Sequence, residues 1–459
     1  WTYLGMTMTF GKVPLITEVL DYNSPNIPRD EVSVIRDFIM KELTEAAAIL
    51  PEKYAGGYPN EKGRITKYAC LSLKARAALY FGDYALAEST AKEVMDKGGF
   101  SLFKISSLSD AQKKEAEEMS LYIDFAEKGI DKDEFVKGMF NYEALWHTEN
   151  ANPDNPEYIM TRQYAASSWN YQDMTRYTSM RPNQLGGWSS VTPTQNLVDA
   201  YWGVDGHSVP QLPTPEERAK AYNQIKADLD AYQKPEGEAK FIAFCQEKIK
   251  NGTLKDYKYI QEFRNRDSRM YVSILMPFKS WYESNYGDKF VYEWIKNGNN
   301  ESKTGFNFRK MLSLENDANG DGQATGDYPC IRYAEILLIY AEAHTQTTGY
   351  DAATEAALNQ LRDRCGMPDV PSGLSKEEGL KLIQNERRIE LAGEGFRGDD
   401  MTRYSDDYWK EHMNNVPIMT PDGDTELTMK WSSRMRLKPI PQTAIDLNPL
   451  LAGDQNPGY

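Results

Sequence analysis

The sequence has few residues of the kinds that hold zinc ions or form covalent cross-links. It contains only four cysteines and four histidines in 459 residues. No two cysteines form a C-x-x-C pair, and no combination of cysteine and histidine has the spacing of a zinc site. We therefore expect the cysteines to be small buried hydrophobic side chains. They are Cys70, Cys245, Cys330 and Cys365.

Long apolar runs and an excess of positive charge are also missing. The most apolar segment, 331–343, is interrupted by Arg332, Glu335 and Glu342, so no run reaches the roughly 18 residues that would cross a bilayer. Acidic residues number 68 against 53 basic ones, which gives a net charge of −15 and an isoelectric point near 5.0. This charge repels phosphate backbones, and nucleic acid is therefore not an expected partner.

Helical periodicity is strong near both ends of the chain. After Asp30, apolar residues recur with a helical period until Pro51 stops the pattern, which predicts one helix. Segments 65–99 and 333–367 each resemble two helices joined at a glycine. Their length of about 34 residues is the tetratricopeptide period. Because such units cannot bury their apolar faces alone, we predict a mostly α, tetratricopeptide-like helical scaffold with further packed elements.

The middle of the chain has a different character. Residues 141–303 are rich in Tyr, Trp, Asn, Pro and Gly, with little helical period and short β-like pieces such as MYVSIL at 270–275. We predict a large, irregular, loop-rich insertion carried on the scaffold, and loops on a rigid frame often bind ligands. The predicted division is an N-terminal scaffold part at 1–98, the ligand-binding region at 99–328, and the C-terminal scaffold with its tail at 329–459.

The stretch ERRIELAGEGFRGDDMTR, 386–403, is dense in charge. Arg387, Glu390 and Glu394 share the apolar face of a predicted helix. Carboxylates one turn apart, roughly 5 to 6 Å, are not far from the spacing of a retaining glycosidase. However, a general acid needs a raised pKa, and a neighbouring arginine lowers the pKa of both carboxyls. We interpret the stretch as a half-buried ionic network that orients the helix, with Gly395 ending it, and predict no catalytic residue.

A loop at 315–328, ENDANGDGQATGDY, resembles a calcium-binding loop. Asp317, Asn319 and Asp321 occupy its first, third and fifth positions, and Gln323 can offer its carbonyl at the seventh. Asp327 lies one residue before the twelfth position, where a glutamate is usual. The same residue types also favour ordinary turns. A structural calcium ion and a plain turn are therefore both open, and no cofactor is required.

Several segments occur together in an order seen in one protein family. These segments are FGKVPLITE, the helix ending at Leu50 and Pro51, GRITKYACLSLKARAALYFGDYALA, TPTQNLVDAYWGVDG, NRDSRMYVSIL, IRYAEILLIYAEA, ERRIELAGEGFRGDDMTRY and LKPIPQTAIDLNPLLAGDQNPGY. With these segments in this order, the chain resembles SusD/RagB-like proteins over nearly its whole length.

The resemblance implies a fold, a location and a partner. Members of that family are surface-exposed lipoproteins of the cell outer membrane. They capture oligosaccharides, or in some cases peptides, and cover a SusC-like TonB-dependent transporter without acting as enzymes. Their chains begin with a lipidated cysteine and a first run of helices, whereas this sequence begins at Trp1. The resemblance therefore implies that the lipid anchor, and roughly one repeat or more of scaffold, lie upstream of the residues given.

A glycan site would need flat aromatic surfaces and planar polar groups, because sugars have apolar C–H faces ringed by hydroxyls. The chain has nine tryptophans and 29 tyrosines. Trp188 lies between glycines and serines and is predicted to be an exposed platform, although large aromatic side chains also anchor loops. We predict Trp202 and Trp294 to be core residues. Further candidates from SWNYQDMTR and SWYESNYGD, which packed loops would explain equally well, are Trp169, Asn170, Tyr171, Asp173, Arg176, Trp281, Tyr282 and Tyr286.

The predicted function is capture of an oligo- or polysaccharide and its delivery to a SusC-like transporter. The nearest alternative is a RagB-like importer that captures peptides, which would favour a cleft with extended-peptide edges. A helical-scaffold glycoside hydrolase would use Glu390 and Glu394 and show turnover. A tetratricopeptide adaptor would bind a protein tail on its concave helical face.

Overall fold

The chain folds into a mostly helical structure with a few short sheets, as predicted. A computed structural model describes residues 1–21, 24–55, 61, 63–165, 171, 177–178, 187–282, 290–312 and 324–459. Within these ranges, no helix is both long and apolar enough to span a membrane. The α-helices are Thr2–Phe10, Val32–Ile49, Lys67–Tyr80, Tyr84–Lys97, Asp110–Glu118, Phe125–Lys128, Lys132–Ala144, Gln195–Ala200, Pro215–Ala231, Lys240–Lys250, Lys258–Gln261, Ser268–Ser273, Tyr333–Thr347, Ala352–Arg364, Lys376–Glu390, Phe396–Arg403, Asp406–Met413 and Gln442–Leu447.

The strands form two-stranded antiparallel sheets. Tyr158–Arg162 pairs with Tyr328–Arg332, Ile274–Leu275 with Asn307–Phe308, Ser280–Trp281 with Phe290–Val291, and Pro417–Met419 with Thr425–Thr428.

Both predicted helical hairpins are present. Lys67–Tyr80 and Tyr84–Lys97 form the first, and Tyr333–Thr347 and Ala352–Arg364 form the second. The turns between them contain Gly82 at φ 76° and Gly349 at φ 116°, conformations that glycine adopts without steric cost. The helix predicted after Asp30 is also confirmed, at Val32–Ile49.

The scaffold helices share one apolar core, in which Tyr333–Thr347 is almost wholly buried. This helix packs against the Tyr84–Lys97, Ala352–Arg364 and Lys376–Glu390 helices. Of the cysteines, Cys70, Cys245 and Cys365 are buried and Cys330 is partly exposed, so three of the four match the prediction.

The central region contains more helix than its composition predicted. Lys132–Ala144, Pro215–Ala231 and Lys240–Lys250 surround a second apolar core. The β-like piece MYVSIL is mostly helical as well: Ser268–Ser273 is a helix and only Ile274–Leu275 is a strand. Short apolar runs fit either state, and packing inside the second core decided this one.

The sheet of Tyr158–Arg162 and Tyr328–Arg332 packs on the scaffold core, to which Ile159 and Ile331 belong. Its second strand runs directly into the scaffold helix Tyr333–Thr347, and Tyr158 pairs with Arg332. This register places Glu157, which is fully buried, beside Arg332 between the cores. The charged side chains that meet there are described next.

Candidate functional site

A network of buried ion pairs lies between the two cores. Arg332 donates to Glu157 Oε1 and Glu390 Oε1, both at 2.8 Å, and to both oxygens of Glu394. Arg269 from the central region binds Glu386 at 2.6 Å and Glu390 at 3.1 Å. These side chains are almost completely inaccessible to solvent. Because buried charges must be paired, the network holds the central region against the scaffold.

The network rules out a general acid at Glu390 or Glu394. Burial alone would raise the pKa of Glu390, but Arg364, Arg332 and Arg269 together hold its pKa well below the ordinary value. Arg332 and Lys310 likewise lower the pKa of Glu394. A carboxyl that stays ionised cannot donate a proton, so the structural interpretation of this stretch is supported.

Two details of that interpretation were wrong. Arg387 does not pair with Glu390 or Glu394; its Nε binds Asp400 at 2.8 and 2.9 Å. The helix ends at Glu390, five residues before Gly395, which instead precedes the next helix at φ 88°. Glu394 therefore reaches the network from a turn, because tertiary partners and not helical spacing bring the two carboxylates together.

The predicted platform Trp188 is exposed, with 42% of its surface accessible. Its ring meets Tyr177 edge to face, with centroids 5.5 Å apart and planes at 86°. Tyr177, which sequence reasoning did not nominate, is 38% exposed. The pair thus presents aromatic surface to solvent, as a sugar-binding platform requires. Its role in ligand binding stays a prediction.

The other described candidates are less accessible. Trp281 is fully buried in the second core, with the Arg309 guanidinium 4.8 Å from its ring centre. This burial contradicts its nomination as a ligand contact, because the ring has no face open to a sugar. Tyr282 is half-buried and donates to Glu118 Oε1 at 2.6 Å. Tyr171 is half-buried as well.

Trp294 is a core residue, as predicted, and its indole donates to the Ser302 carbonyl oxygen at 2.9 Å. Trp202 packs against the same core while remaining partly exposed.

The remaining nominated residues lie outside the described part of the chain, and their roles stay predictions. Of the nominated calcium ligands, only Asp327 is described. Its carboxylate accepts from the Tyr164 N–H at 3.2 Å and from the Thr161 hydroxyl at 3.5 Å, and burial raises its pKa to about 6. The residues outside are Trp169, Asn170, Asp173, Arg176, Tyr286, Asp317, Asn319, Asp321 and Gln323.

A cavity of about 410 Å³ lies next to the aromatic pair. The Val191 N–H donates to the Tyr177 carbonyl oxygen at 3.0 Å, and Val191 lines the cavity rim. The rim segment is anchored at Pro193, whose carbonyl oxygen accepts from the buried Thr304 hydroxyl at 2.6 Å. The opposite wall is formed by the end of the Lys376–Glu390 helix and the start of the Phe396–Arg403 helix.

Sequence reasoning missed this cavity, although most of its wall residues lie in or beside two segments described above. Val191, Asn196 and Leu197 lie in or beside TPTQNLVDAYWGVDG, and Arg388 and Arg397 lie in the charged stretch. No local pattern shows that the two segments face each other. The adjacent Arg387 and Arg388 indicated a concentration of positive charge. The sequence did not show that Arg387 binds Asp400 whereas Arg388 binds Asn196.

Comparisons with known proteins agree with this architecture. The sequence model of the SusD family matches residues 156–459, more than half of the chain. SusD-like protein P2 of Formosa agariphila is 29% identical over 148 residues, which is 31% of this chain and only 28% of that protein.

Solved structures of similar fold cover nearly the whole chain. A SusD-like protein from Bacteroides fragilis is 25% identical, with all of this chain and 77% of that one aligned at a TM-score of 0.70. A SusD-like carbohydrate-binding protein from the same species is 20% identical, with coverage of 98% and 77% and a TM-score of 0.65. A structure determined with a xylogluco-oligosaccharide is 15% identical, with coverage of 98% and 78% and a TM-score of 0.60.

The family match and the shared fold lead to one assignment. The chain belongs to the SusD family, a family of carbohydrate-binding proteins without catalytic activity.

Proposed function

We propose that this protein captures an oligo- or polysaccharide at the cell surface and delivers it to a SusC-like TonB-dependent transporter in the outer membrane. The observation that carries the proposal is the exposed pair of Trp188 and Tyr177 in a chain of the SusD family. The side chains of Trp188 and Tyr177 are rigid, so a ligand can bind their apolar faces with little loss of conformational entropy. The neighbouring cavity provides polar groups that could fix the orientation of a sugar.

Calorimetric titration tests the binding step. The purified chain would be titrated with soluble polysaccharides, their oligosaccharides and mixed peptides. We expect saturable binding to a glycan without product formation. Trp188→Ala should weaken this binding by about 1 kcal/mol, or roughly fivefold, because one ring face is lost.

The exposed ring of Tyr459, which packs on Arg434, provides a matched control. Tyr459→Ala should leave the affinity unchanged. Binding to peptides alone would favour the peptide importer instead. Breakdown of a titrated glycan would favour a hydrolase.

The delivery step needs the full-length protein in its own membrane. Protease treatment of intact source cells should cut the protein if it faces outward. After mild solubilisation, a TonB-dependent transporter should co-purify with it in a fixed ratio. A protein that is protected in intact cells, or that is purified without a transporter, would contradict this part of the proposal.

A further inference from the structure

Two arginines in the cavity wall have no carboxylate partner within the described part of the chain. Arg388 makes its hydrogen bonds through Nη2, to the backbone oxygen of Asn196 at 2.9 Å and to its Oδ1 at 2.6 Å. Arg397 donates from Nη1 to the Tyr408 hydroxyl at 2.9 Å. An arginine carries five N–H donors. The other nitrogens of both guanidinium groups therefore have no acceptor among the residues described.

Two nearby carboxylates, those of Asp400 and Asp199, are already occupied. Asp400 lines the cavity but is bound by Arg387 at 2.8 Å and by Arg403 at 3.2 Å. Asp199 acts on Arg388 from a greater distance, yet it accepts from Gln195 at 2.7 Å and lies 3.6 Å from Arg218. The cavity consequently has positive charge that the described side chains do not neutralise.

The electrostatic effects inside the cavity agree with this description. Burial and the neighbouring Arg397 lower the pKa of Arg388 to about 10. Burial also lowers the pKa of His412, and Arg388 and Arg397 add to that effect. The imidazole of His412 stacks on Tyr408 with ring centroids 4.0 Å apart. The arginines, and not this histidine, therefore supply the positive charge near neutral pH.

Much of the remaining wall is apolar. Such a surface suits the C–H face of a sugar ring, whereas the guanidinium groups suit a carboxylate. No described residue accepts from the Nε–Nη2 edge of Arg397, which is open for two parallel hydrogen bonds, and Arg388 can add single bonds from Nε and Nη1. The apolar lining residues include Leu197, Phe308, Leu391, Phe396, Met413 and Met429.

We propose that this cavity binds the carboxylate of a uronic acid residue through Arg388 and Arg397, so that the captured glycan is acidic. The inference rests on the proposed function and specifies its substrate class. A charge inside the cavity matters more than the net charge of −15, because repulsion from distant exposed carboxylates is screened beyond about 8 Å at physiological salt.

The position of the aromatic pair supports a site that spans both features. Trp188 lies three residues before the rim residue Val191, so at most about 10 Å of extended chain separates them. Ser189, between them, has a left-handed φ of 45°, a strained conformation that is often found at binding sites. A neighbouring sugar of the same glycan can therefore stack on Trp188 while the uronate occupies the cavity.

The experiment compares charged and neutral forms of the same glycan. Oligogalacturonides, oligoglucuronides and alginate oligomers would be titrated calorimetrically, alongside their carboxyl-reduced counterparts and sulfated oligosaccharides. We expect at least one uronide to bind at least tenfold more tightly than its reduced form. Arg397→Gln and Arg388→Gln should each remove most of this difference. Arg397→Lys should restore only part of it, because lysine lacks the planar fork.

Arg36→Gln is the matched control, because it removes the same charge from the Val32–Ile49 helix, where the half-buried Arg36 pairs with Asp37. Thermal unfolding would confirm that each variant folds, and the half-buried Arg397 is the safer of the two substitutions.

Each other outcome overturns the inference. Uronide binding that survives both arginine substitutions would place the carboxylate elsewhere. A preference for sulfated glycans, or for peptides with a free carboxylate, would assign the cavity to another ligand. Binding of neutral glycans alone would overturn the inference but leave the proposed function intact. If no glycan binds at all, the proposed function fails as well.

Discussion

Arg332 binds both carboxylate oxygens of Glu394, with Nε 2.8 Å from Oε2 and Nη2 2.7 Å from Oε1. Each side chain is only 1% exposed. This bidentate pair joins the strand Tyr328–Arg332 to the turn after the Lys376–Glu390 helix. It is also linked to Glu390 and Glu157 through Arg332 Nη1, so the loss of one member disturbs the others.

Glu394→Gln should destabilise the protein by about 3 kcal/mol, because it leaves Arg332 and Lys310 buried with less compensating charge. Glu390→Gln should have a similar effect. The measurement is urea denaturation at pH 7, followed by circular dichroism. Glu377→Gln, an exposed change on the same helix, should alter stability by less than about 0.5 kcal/mol. Equal effects of buried and exposed substitutions would contradict the assigned role of the network.

Acid should destabilise the protein through Glu115. Burial opposes ionisation of this carboxyl, but Arg309 and Lys279, both with nitrogens 2.6 Å from Oε1, hold its pKa far below the ordinary 4.5. Below about pH 4.5 the unfolded chain therefore takes up a proton that the folded chain does not. The stabilisation is complete above that pH and is lost progressively as the pH falls further.

Urea midpoints measured from pH 7 to pH 3 would test this expectation. Glu115→Gln should be less stable at pH 7 and should lose less stability on acidification than the unsubstituted protein. Parallel pH profiles would show that Glu115 does not contribute to the acid sensitivity.

Gly138→Ala should be strongly destabilising. A Cβ at this helical position would lie 2.1 Å from the Gly366 backbone nitrogen and 2.2 Å from the Cys365 carbonyl carbon. Backbone atoms cannot move aside as a flexible side chain can, so we expect a loss of at least about 3 kcal/mol. Gly5→Ala is the matched control: it lies in the Thr2–Phe10 helix with nothing within 4 Å of the new Cβ. That change should stabilise the helix by roughly 0.5 to 1 kcal/mol, and thermal melts would compare the two variants.

Calcium should stabilise the protein if the 317–327 loop binds the ion, which is the alternative to a plain turn that the sequence leaves open. For a site with a Kd of about 1 mM, about 10 mM Ca²⁺ should add about 1.4 kcal/mol to the free energy of unfolding. Asp317→Ala should abolish this gain, and Mg²⁺ should reproduce little of it, because Mg²⁺ requires a smaller octahedral site. An unchanged melting temperature with Ca²⁺ would leave the loop as an ordinary turn.

The local parts of the fold could be predicted from sequence. The hairpins around Gly82 and Gly349 follow from helical periodicity and from glycine conformations, both of which are visible in a few neighbouring residues. The helix Lys240–Lys250 was not predicted, although its own sequence has a helical pattern, because the aromatic and polar composition of the surrounding region indicated loops.

The candidate site could be predicted only in part. The local setting of Trp188, between small residues, correctly indicated exposure. The same argument from composition failed for Trp281, since its burial depends on the second core, whose members come from distant parts of the chain. The sequence shows that Arg388 and Arg397 are charged. It does not show that they have no carboxylate partner in the described region.

The sequence by itself determined the helical scaffold, the acidic net charge, the family and the structural character of the charged stretch near Glu390. These features depend on periodicity, composition and motif order, which survive without coordinates. Only the tertiary structure decided which arginine neutralises which carboxylate, and that Arg388 and Arg397 face a cavity beside Trp188 and Tyr177. The reason is physical: ion pairing and burial depend on distances between residues far apart in the chain, and local sequence patterns do not specify those distances.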